Sequence, residues 1–243
     1  MPTVSGRMLV GGRFGAFGRA FAMAATLLLL APLEVRAQPH LGGSSFTSNF
    51  TSGHAGWYDV AGTWSVTAEG YYKSKGLAND TSSVKHSDSF TDFTYQVKMK
   101  RTGCRTCANR LIIRGDPDWH AFEGWYPCYA IETFNDGSYA VIRMSEAGLP
   151  SAIKVRGASA ALHKGERWNR VKIRAVGGDL TLFFNDTQVW SYNGATTLDG
   201  MVGIAFDRKA ARGSLLVDWA RLSTATADAP PSFAGPFLGI PRR

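Results

Sequence analysis

One carboxylate, Glu132, lies in the middle of a segment with strong strand propensity and is the residue best placed for acid–base chemistry. Enzymes that cleave glycosidic bonds commonly use two carboxyl groups that face each other across the substrate. The nearest second carboxylate, Asp136, falls in a turn and therefore off the face of the strand. We expect Glu132 to form an ion pair with Arg110 or Arg143 of a neighbouring strand, and the alternative is a catalytic or sugar-binding carboxylate.

A long loop between two predicted strands, residues 115–127, concentrates aromatic and acidic side chains. Long loops on a rigid β scaffold commonly carry binding residues. Flat rings suit the apolar faces of sugars, and carboxylates suit their hydroxyl groups. In the other interpretation, Trp125 and Phe122 simply cap one end of the core. The predicted sugar contacts are Trp119, His120, Trp125 and Tyr126, with Asp116, Asp118 and Glu123 beside them.

Two carboxylates of this loop, Asp116 and Asp118, are candidates for a calcium site. Calcium takes about 6–8 oxygen ligands, and no complete calcium-binding signature is present. The sequence also lacks a four-ligand zinc pattern, a Gly-x-Ser-x-Gly elbow for a catalytic serine, and a glycine loop that leads from a strand into a helix. We therefore predict no cofactor, apart from calcium, and a nucleotide-dependent enzyme is excluded.

Several predicted strands carry cationic side chains at alternating positions. If these positions share one concave sheet, they form a basic surface with one acidic residue, which suits an acidic or hydroxyl-rich glycan. An ordinary solvated sheet face is the alternative. The positions are Gln96, Lys98, Arg110, Arg114, Glu132 and Arg143, of which the three arginines are predicted ligand-binding residues.

Three cysteines must leave at least one outside any disulfide within a single chain. Cys104 and Cys107 flank a predicted turn, whereas Cys128 begins a strand at the opposite end of the meander. A redox-active pair usually opens a helix of an α/β fold, which this turn does not. We predict a small Cys104–Cys107 ring and a buried Cys128.

The formal net charge is +8. Arg7, Arg13, Arg19, Glu34 and Arg36 contribute +3 of it, which leaves +5 for the rest of the chain. No run of lysines and arginines alternates with aromatic residues, so no nucleic-acid partner is predicted.

The N-terminal segment has the features of an export signal: three arginines, an apolar stretch and small residues at a cleavage point after Ala37. The apolar stretch is too short to span a bilayer, which takes roughly 20 residues, so no membrane association is expected after its removal. The protein is therefore expected to be secreted or periplasmic. The predicted organisation is a signal peptide at 1–37, a linker at 38–43, a β-sandwich domain at 44–223 and a Pro/Ala/Gly-rich tail at 224–243.

These candidate residues must be positioned by strands, because the sequence predicts no helix longer than a turn or two after residue 37. Two β-branched and aromatic runs flank Asn135-Asp136-Gly137, which predicts an antiparallel hairpin across Tyr129–Arg143. Apolar and polar residues alternate from Phe93 to Lys100 with a period of two, the pattern of a half-buried strand. Many short strands with Gly and Asn-Asp turns predict an all-β, two-sheet antiparallel sandwich.

The order of these elements resembles the concanavalin A-like jelly-roll superfamily, in particular laminin-G-like domains and the 3-keto-disaccharide hydrolase domains of exported bacterial proteins. The likeness covers roughly Phe46 to Leu222. Glycosidases of this superfamily carry Glu-x-Asp-x-x-Glu on one strand, a motif that is absent here. Relatives that act on 3-keto sugars carry a Tyr-Glu segment on the strand that corresponds to Glu132. The stretches that carry the resemblance are residues 109–113, 129–132, 139–143, 165–173, 180–186, 200–204 and 216–219.

From the residues and the resemblance together we predict an exported carbohydrate-binding β-sandwich. Its predicted contact surface comprises the aromatic loop and the face that carries Arg110 and Glu132. One alternative is a glycoside-cleaving enzyme of the 3-keto-disaccharide hydrolase type, with Glu132 as acid or base. The other is a protein–protein adhesion module, as laminin-G-like domains often are, whose partner is a protein.

Overall fold

The structure is a computed structural model that describes residues 42–74, 80–117, 124–144, 150–209 and 213–224. All of them belong to one compact unit within Gln38–Arg243. The predicted signal peptide and most of the predicted linker and tail lie outside these residues and stay predictions. Within the described ranges there is no helix, and hence none that is long and apolar enough to cross a membrane.

Fifteen strands form in the described part of the chain, and turns of a few residues connect many of them. They are β1 Phe46–Ser48, β2 Trp57–Ala61, β3 Trp64–Val66, β4 Tyr72–Ser74, β5 Asp80–Phe90, β6 Phe93–Thr102, β7 Ala108–Gly115, β8 Cys128–Thr133, β9 Ser138–Met144, β10 Pro150–Ala158, β11 Asn169–Val176, β12 Asp179–Phe184, β13 Thr187–Asn193, β14 Gly200–Arg208 and β15 Ser214–Thr224.

The strands pair antiparallel in two sheets. Sheet A has the order β10-β9-β8-β7-β14-β5-β2, and sheet B has the order β13-β12-β11-β6-β15-β4-β3, with β1 also paired to β15. One face of each sheet contributes to a shared core, and the other face points away from it. The predicted fold class, a two-sheet antiparallel sandwich, is confirmed.

The predicted hairpin is formed by β8 and β9. Gly137 closes the turn with a φ of 88°, a conformation that residues with a side chain rarely adopt. The Phe134 amide donates to the Ser138 carbonyl over 2.9 Å, and the Ser138 amide donates to the Asp136 carboxylate over 2.8 Å. The hydrogen bonds from Ser138 hold the pKa of Asp136 below its usual value. The hairpin sets the register that places β8, and with it Glu132, in the middle of sheet A.

Period-two alternation explains which side chains of β6 enter the core. Phe93, Tyr95, Val97 and Met99 are fully buried, and the residues between them lie on the outer face of sheet B. Trp57 begins strand β2 and also lies in the core. Its ring is 2 % exposed, and its Nε1 donates to Ser48 Oγ over 2.9 Å.

The next inward position of β6 holds a charged residue, Arg101, which is 1 % exposed. Among the described residues, its Nε, Nη1 and Nη2 have no hydrogen-bond partner. Burial lowers the pKa of Arg101 to about 10, and the charge of Asp136 opposes that effect. A guanidinium buried without acceptors is an unfavourable element of this core.

His86 is a second buried ionisable group, 7 % exposed, whose ring stacks on Phe46 with 4.0 Å between the ring centroids. Burial lowers the pKa of His86 below 6.5, and the charge of Asp88 acts in the opposite direction. The folded state therefore binds this proton less tightly than the unfolded state does.

We expect the free energy of unfolding to fall as the pH drops from above 6.5 through the lowered pKa of His86, because protonation favours the unfolded chain. Urea titrations on both sides of pH 6.5 measure this slope. His86→Phe keeps an aromatic ring against Phe46 and should flatten the slope, whereas the matched change at the exposed His163 should not. The same slope in wild type and His86→Phe would contradict the prediction.

Candidate functional site

The candidate site begins with an ion pair in the middle of sheet A, on the face that points away from the core. Arg110 on β7 lies directly opposite Glu132 on β8. Their neighbours Leu111 and Ile131 are fully buried in the core, so alternation places Arg110 and Glu132 on the outer face. Arg110 Nε donates to Glu132 Oε1 over 2.8 Å. The ion pair predicted from the sequence is therefore present.

The charged cluster continues onto the third strand, β14. Arg110 Nη2 donates to Asp207 Oδ2 over 3.4 Å, and Lys209 Nζ lies 3.1 Å from the same oxygen. Opposite charges thus alternate in the order Glu132, Arg110, Asp207, Lys209. We call these four residues the charged row.

Burial differs along the charged row. The side chain of Glu132 is 9 % exposed and that of Asp207 is 8 % exposed, whereas Arg110 reaches 17 % and Lys209 reaches 59 %. The two carboxylates are therefore held largely out of water, and each has a cationic partner. Such pairing compensates for much of the cost of burying a charge.

The surface beside the charged row is built from small side chains. Across β9, β8, β14 and β5, the outer-face positions include Ala140, Ala130, Ala205, Gly203 and Ser83. Short side chains at successive positions leave the backbone of sheet A close to its outer surface. Ala140, Ala205 and Ser83 are themselves less than 2 % exposed, so these positions are covered in the folded chain.

Trp125 occupies part of this space. Its Nε1 donates to Ser83 Oγ over 3.0 Å, and the ring is 3 % exposed. A Cβ at Gly203 would lie 2.3 Å from the indole, and one at Gly115 would lie 2.5 Å from it. The two glycines therefore make room for Trp125 against the outer face, where it packs with Ile112, Cys128 and Ala205.

This position corrects both interpretations of Trp125. The ring is buried, so it is not the exposed sugar platform that we predicted, and it packs on the outer face instead of capping the core. The other aromatic and acidic residues predicted to contact a sugar are two described residues and several that are not described. Tyr126 is half-buried and Asp116 is exposed, while Trp119, His120, Asp118, Phe122 and Glu123 lie outside the described residues.

Within the described ranges, no group of three or more His, Cys, Asp or Glu side chains is arranged to hold a metal ion, so the calcium candidates have no additional ligands there. Asp116 is one of the two candidates, and Asp118 is not described.

Arg114 was predicted to contact a ligand, and the structure places it elsewhere. Its φ of 50° interrupts the alternation of β7, and the side chain turns towards sheet B. It is completely buried and donates to the carbonyl oxygens of Thr91 over 2.9 Å, Gly177 over 2.8 Å and Thr197 over 3.2 Å. Arg114 therefore connects three loops at one end of the sandwich and is not part of an exposed surface.

The predicted grouping of polar positions on one sheet was also wrong. Arg143 pairs with Tyr129, a core residue, and so lies on the inward side of sheet A at the end of β9. Gln96 and Lys98 belong to β6, a strand of sheet B. Of the six positions that we grouped, Arg110 and Glu132 share the outer face of sheet A.

The cysteines follow the prediction made for them. Cys104 and Cys107 form a disulfide in the turn between β6 and β7. Cys128 is 1 % exposed and takes no part in that bond. It packs under Trp125 on the outer face of sheet A.

Sequence reasoning missed Asp207 and Lys209. The alternation of Gly203, Ala205 and Asp207 places the carboxylate on the same face as Arg110, but only the pairing of β14 with β7 makes that visible. The chemistry of the completed row is that of a fixed hydrogen-bonding surface, in which one guanidinium is held by two carboxylates.

Comparison with known proteins relates the sequence of the chain to one protein family and its fold to a group of solved structures. Residues 45–212 match the family described as the 3-keto-alpha-glucoside-1,2-lyase-like domain. No curated protein matches the chain in sequence.

Solved structures similar to this one are concanavalin A-like jelly rolls. The carbohydrate-binding module CBM66 from Bacillus subtilis is 18 % identical, with a TM-score of 0.53 over 68 % of this chain and 94 % of that one. The β-glucanase of Bacillus licheniformis is 11 % identical, with a TM-score of 0.58 over 75 % and 99 %. The carbohydrate-recognition domain of Emp47p is 10 % identical, with a TM-score of 0.58 over 74 % and 94 %. At these identities the likeness shows the fold alone.

Proposed function

The chain belongs to the family of 3-keto-alpha-glucoside-1,2-lyase-like domains, and on that premise we propose that it binds a carbohydrate on the outer face of sheet A. The observation that carries the proposal is the charged row, in which Arg110 is held between Glu132 and Asp207. The structural neighbours, among them a carbohydrate-binding module and a glucanase, support the same class of ligand.

A fixed charged row suits a sugar for two reasons. Sugar hydroxyl groups both donate and accept hydrogen bonds, and the row offers carboxylate acceptors and cationic donors side by side. Because Arg110 is already oriented by its two carboxylates, little side-chain freedom is lost when a ligand binds.

Calorimetric titration of the chain with α-glucosides, with and without a keto group at C3, tests the proposal. We expect saturable heat with at least one of them, and an affinity at least tenfold weaker in Glu132→Gln, because the change removes the charge that orients Arg110. Glu166→Gln is the matched control, since Glu166 is an exposed carboxylate outside this face and should leave the affinity unchanged.

Near-ultraviolet circular dichroism shows whether the Glu132→Gln variant keeps its fold. Equal affinities in the wild type and in a folded Glu132→Gln variant would place the sugar elsewhere. No heat with any member of the panel would reject the α-glucoside as the ligand class.

A second candidate function, cleavage of a 3-keto glucoside, is favoured by one observation: Arg110 holds a second carboxylate, Asp207, near Glu132. In a 1,2-elimination, a base removes the proton from C2, next to the C3 ketone, and that electron pair becomes the C1–C2 double bond. The C1–oxygen bond breaks, and the departing oxygen takes a proton from water. In this second proposal Glu132 acts as the base, and Arg110 stabilises negative charge on the ketone oxygen.

The two functions differ in what happens to a 3-keto α-glucoside. Elimination creates a double bond conjugated with the ketone, and the ultraviolet absorbance of that product rises with time. Glu132→Gln should abolish the rise, and Glu166→Gln should not. Binding alone produces a saturating heat and no such absorbance.

A further inference from the structure

The outer face of sheet B is strongly basic. Alternation and register place seven cations on it, spread over the four adjacent strands β4, β15, β6 and β11. Their outward position follows from the buried residues between them, such as Val97 and Val171. We call this surface the basic face; its cations are Lys73, Lys98, Lys100, Arg170, Lys172, Arg174 and Arg221.

Few carboxylates oppose this charge. Lys98 Nζ lies 2.7 Å from Asp218 Oδ2, and Asp186 pairs with both Arg170 and Lys172. Within the described part of the chain, Lys100, Arg174 and Arg221 have no ion pair. Asp179, at an outward position of β12, and Glu69, beside Lys73, add two carboxylates at the edges, so seven cations and four carboxylates leave a surplus of three positive charges.

Aromatic rings support several of these cations. The ammonium of Lys100 lies 4.8 Å from the ring centre of Trp168, and the guanidinium carbon of Arg221 lies 4.5 Å from that of Trp219. Lys172 lies 4.5 Å from the ring of Phe183. These cation–π contacts orient the charges, so the face presents them at defined positions.

Two depressions adjoin on this face. One of about 330 Å³ is lined by Lys98, Trp168 and Trp219 among others, and one of about 350 Å³ is lined by Gln96 and Arg221 among others. Gln96 and Lys98, one from the lining of each depression, are consecutive outward positions of β6 and lie roughly 7 Å apart along the strand. A chain of linked units can therefore occupy both.

We propose that the basic face binds an anionic polysaccharide, one that carries a carboxylate on each sugar ring or on most of them. The surplus of positive charge supplies the attraction, and the two depressions along β6 give room for successive rings. The surface is on the opposite sheet from the charged row, and the proposal is independent of the function proposed there.

Two other polyanions fit the basic face less well. Single-stranded nucleic acid binds by stacking bases on open aromatic faces, and here a cation lies over one face of Trp168, Trp219 and Phe183. A lipid surface would call for exposed apolar side chains. The large hydrophobic residues that are exposed in the described ranges, Tyr58 and Leu198, are not on this face.

The test is titration of the chain with a polygalacturonate oligomer at low and high salt, with a neutral maltodextrin of equal length for comparison. We expect binding of polygalacturonate only, weakened by salt. The variant Lys100→Gln/Arg221→Gln removes two cations of the basic face and should lower the affinity at least tenfold. The control Arg105→Gln/Lys164→Gln removes two exposed cations elsewhere and should change it less than twofold.

Each other result overturns the proposal. An equal loss in both double variants would mean that net charge alone attracts the polymer. Tighter binding of single-stranded DNA or of phosphatidylglycerol vesicles, lost in the same basic-face variant, would assign the face to that partner. No binding of polygalacturonate would reject the surface, and because Glu132→Gln tests the charged row separately, that failure would leave the α-glucoside proposal standing.

Discussion

Replacing Arg114 by methionine is expected to lower the free energy of unfolding by about 3–5 kcal/mol. The side chain is completely buried and donates to carbonyl oxygens of three different loops, around Thr91, Gly177 and Thr197. Methionine fills much of the same volume but offers no donor, so those carbonyl oxygens lose their partners. Urea denaturation followed by tryptophan fluorescence measures the change.

The same substitution at Arg174 is the control, because that side chain is exposed on sheet B and should change stability by no more than about 0.5 kcal/mol. Hydrogen exchange adds a local measurement, since the amides around the three loops should lose protection in Arg114→Met. If the two variants were equally stable, the loops would be held together without the arginine.

The opposite result is expected for Arg101, near the end of β6. Replacing it by methionine should raise the free energy of unfolding by about 1–4 kcal/mol. Unlike Arg114, Arg101 is buried with no acceptor for its three nitrogens among the described residues. Burial lowers its pKa to about 10, which corresponds to on the order of 3 kcal/mol of unfavourable interaction for the charged form. At neutral pH the group is charged, so this cost is fully present and a methionine removes it.

Lys100→Met is the matched control for Arg101→Met, because Lys100 is the preceding residue of β6 and points outward. Its effect on stability should stay within about 0.5 kcal/mol. Destabilisation by Arg101→Met would show that the guanidinium makes favourable interactions in solution, for example with Asp136. In thermal unfolding, Arg101→Met should have the highest midpoint temperature, and wild type and Lys100→Met should have the same lower one.

The two arginines show what local sequence patterns can predict. Alternation over β6 identified its core face correctly, and the Asn135-Asp136-Gly137 turn located the hairpin of β8 and β9. Both are properties of a few consecutive residues. A positive φ at Arg114 is a departure from that local pattern, and nothing in the neighbouring residue types indicated it.

The candidate site was predictable in part for the same reason. Glu132 and Arg110 lie on strands that follow each other in the chain, so their pairing could be expected. Asp207 reaches the same arginine only because β14 inserts between β7 and β5, a long-range arrangement that no short motif encodes. Trp125 was identified as important, but which face of sheet A it covers depends on the space left by Gly203 and Gly115.

The basic face illustrates a related error. We had grouped Gln96 and Lys98 with Arg110 because all three are polar positions of alternating strands. Alternation tells which residues share one face of one strand, but it does not tell which strands share a sheet. Once β6 is assigned to sheet B, Lys98 joins the cations of β11 and β15 instead.

The pairing of the first strand with the last has a mechanical consequence. β1 runs antiparallel to β15, with Phe46 opposite Leu222, and Ser45 Oγ lies 3.3 Å from Thr224 Oγ1. Tension applied through the segments before β1 and after β15 would therefore load this pair from one end. Its hydrogen bonds would open one after another, like a zipper, instead of resisting together in shear. The short β1 would peel away first, and the sandwich would yield to a weak pull at the place where the polypeptide enters and leaves it.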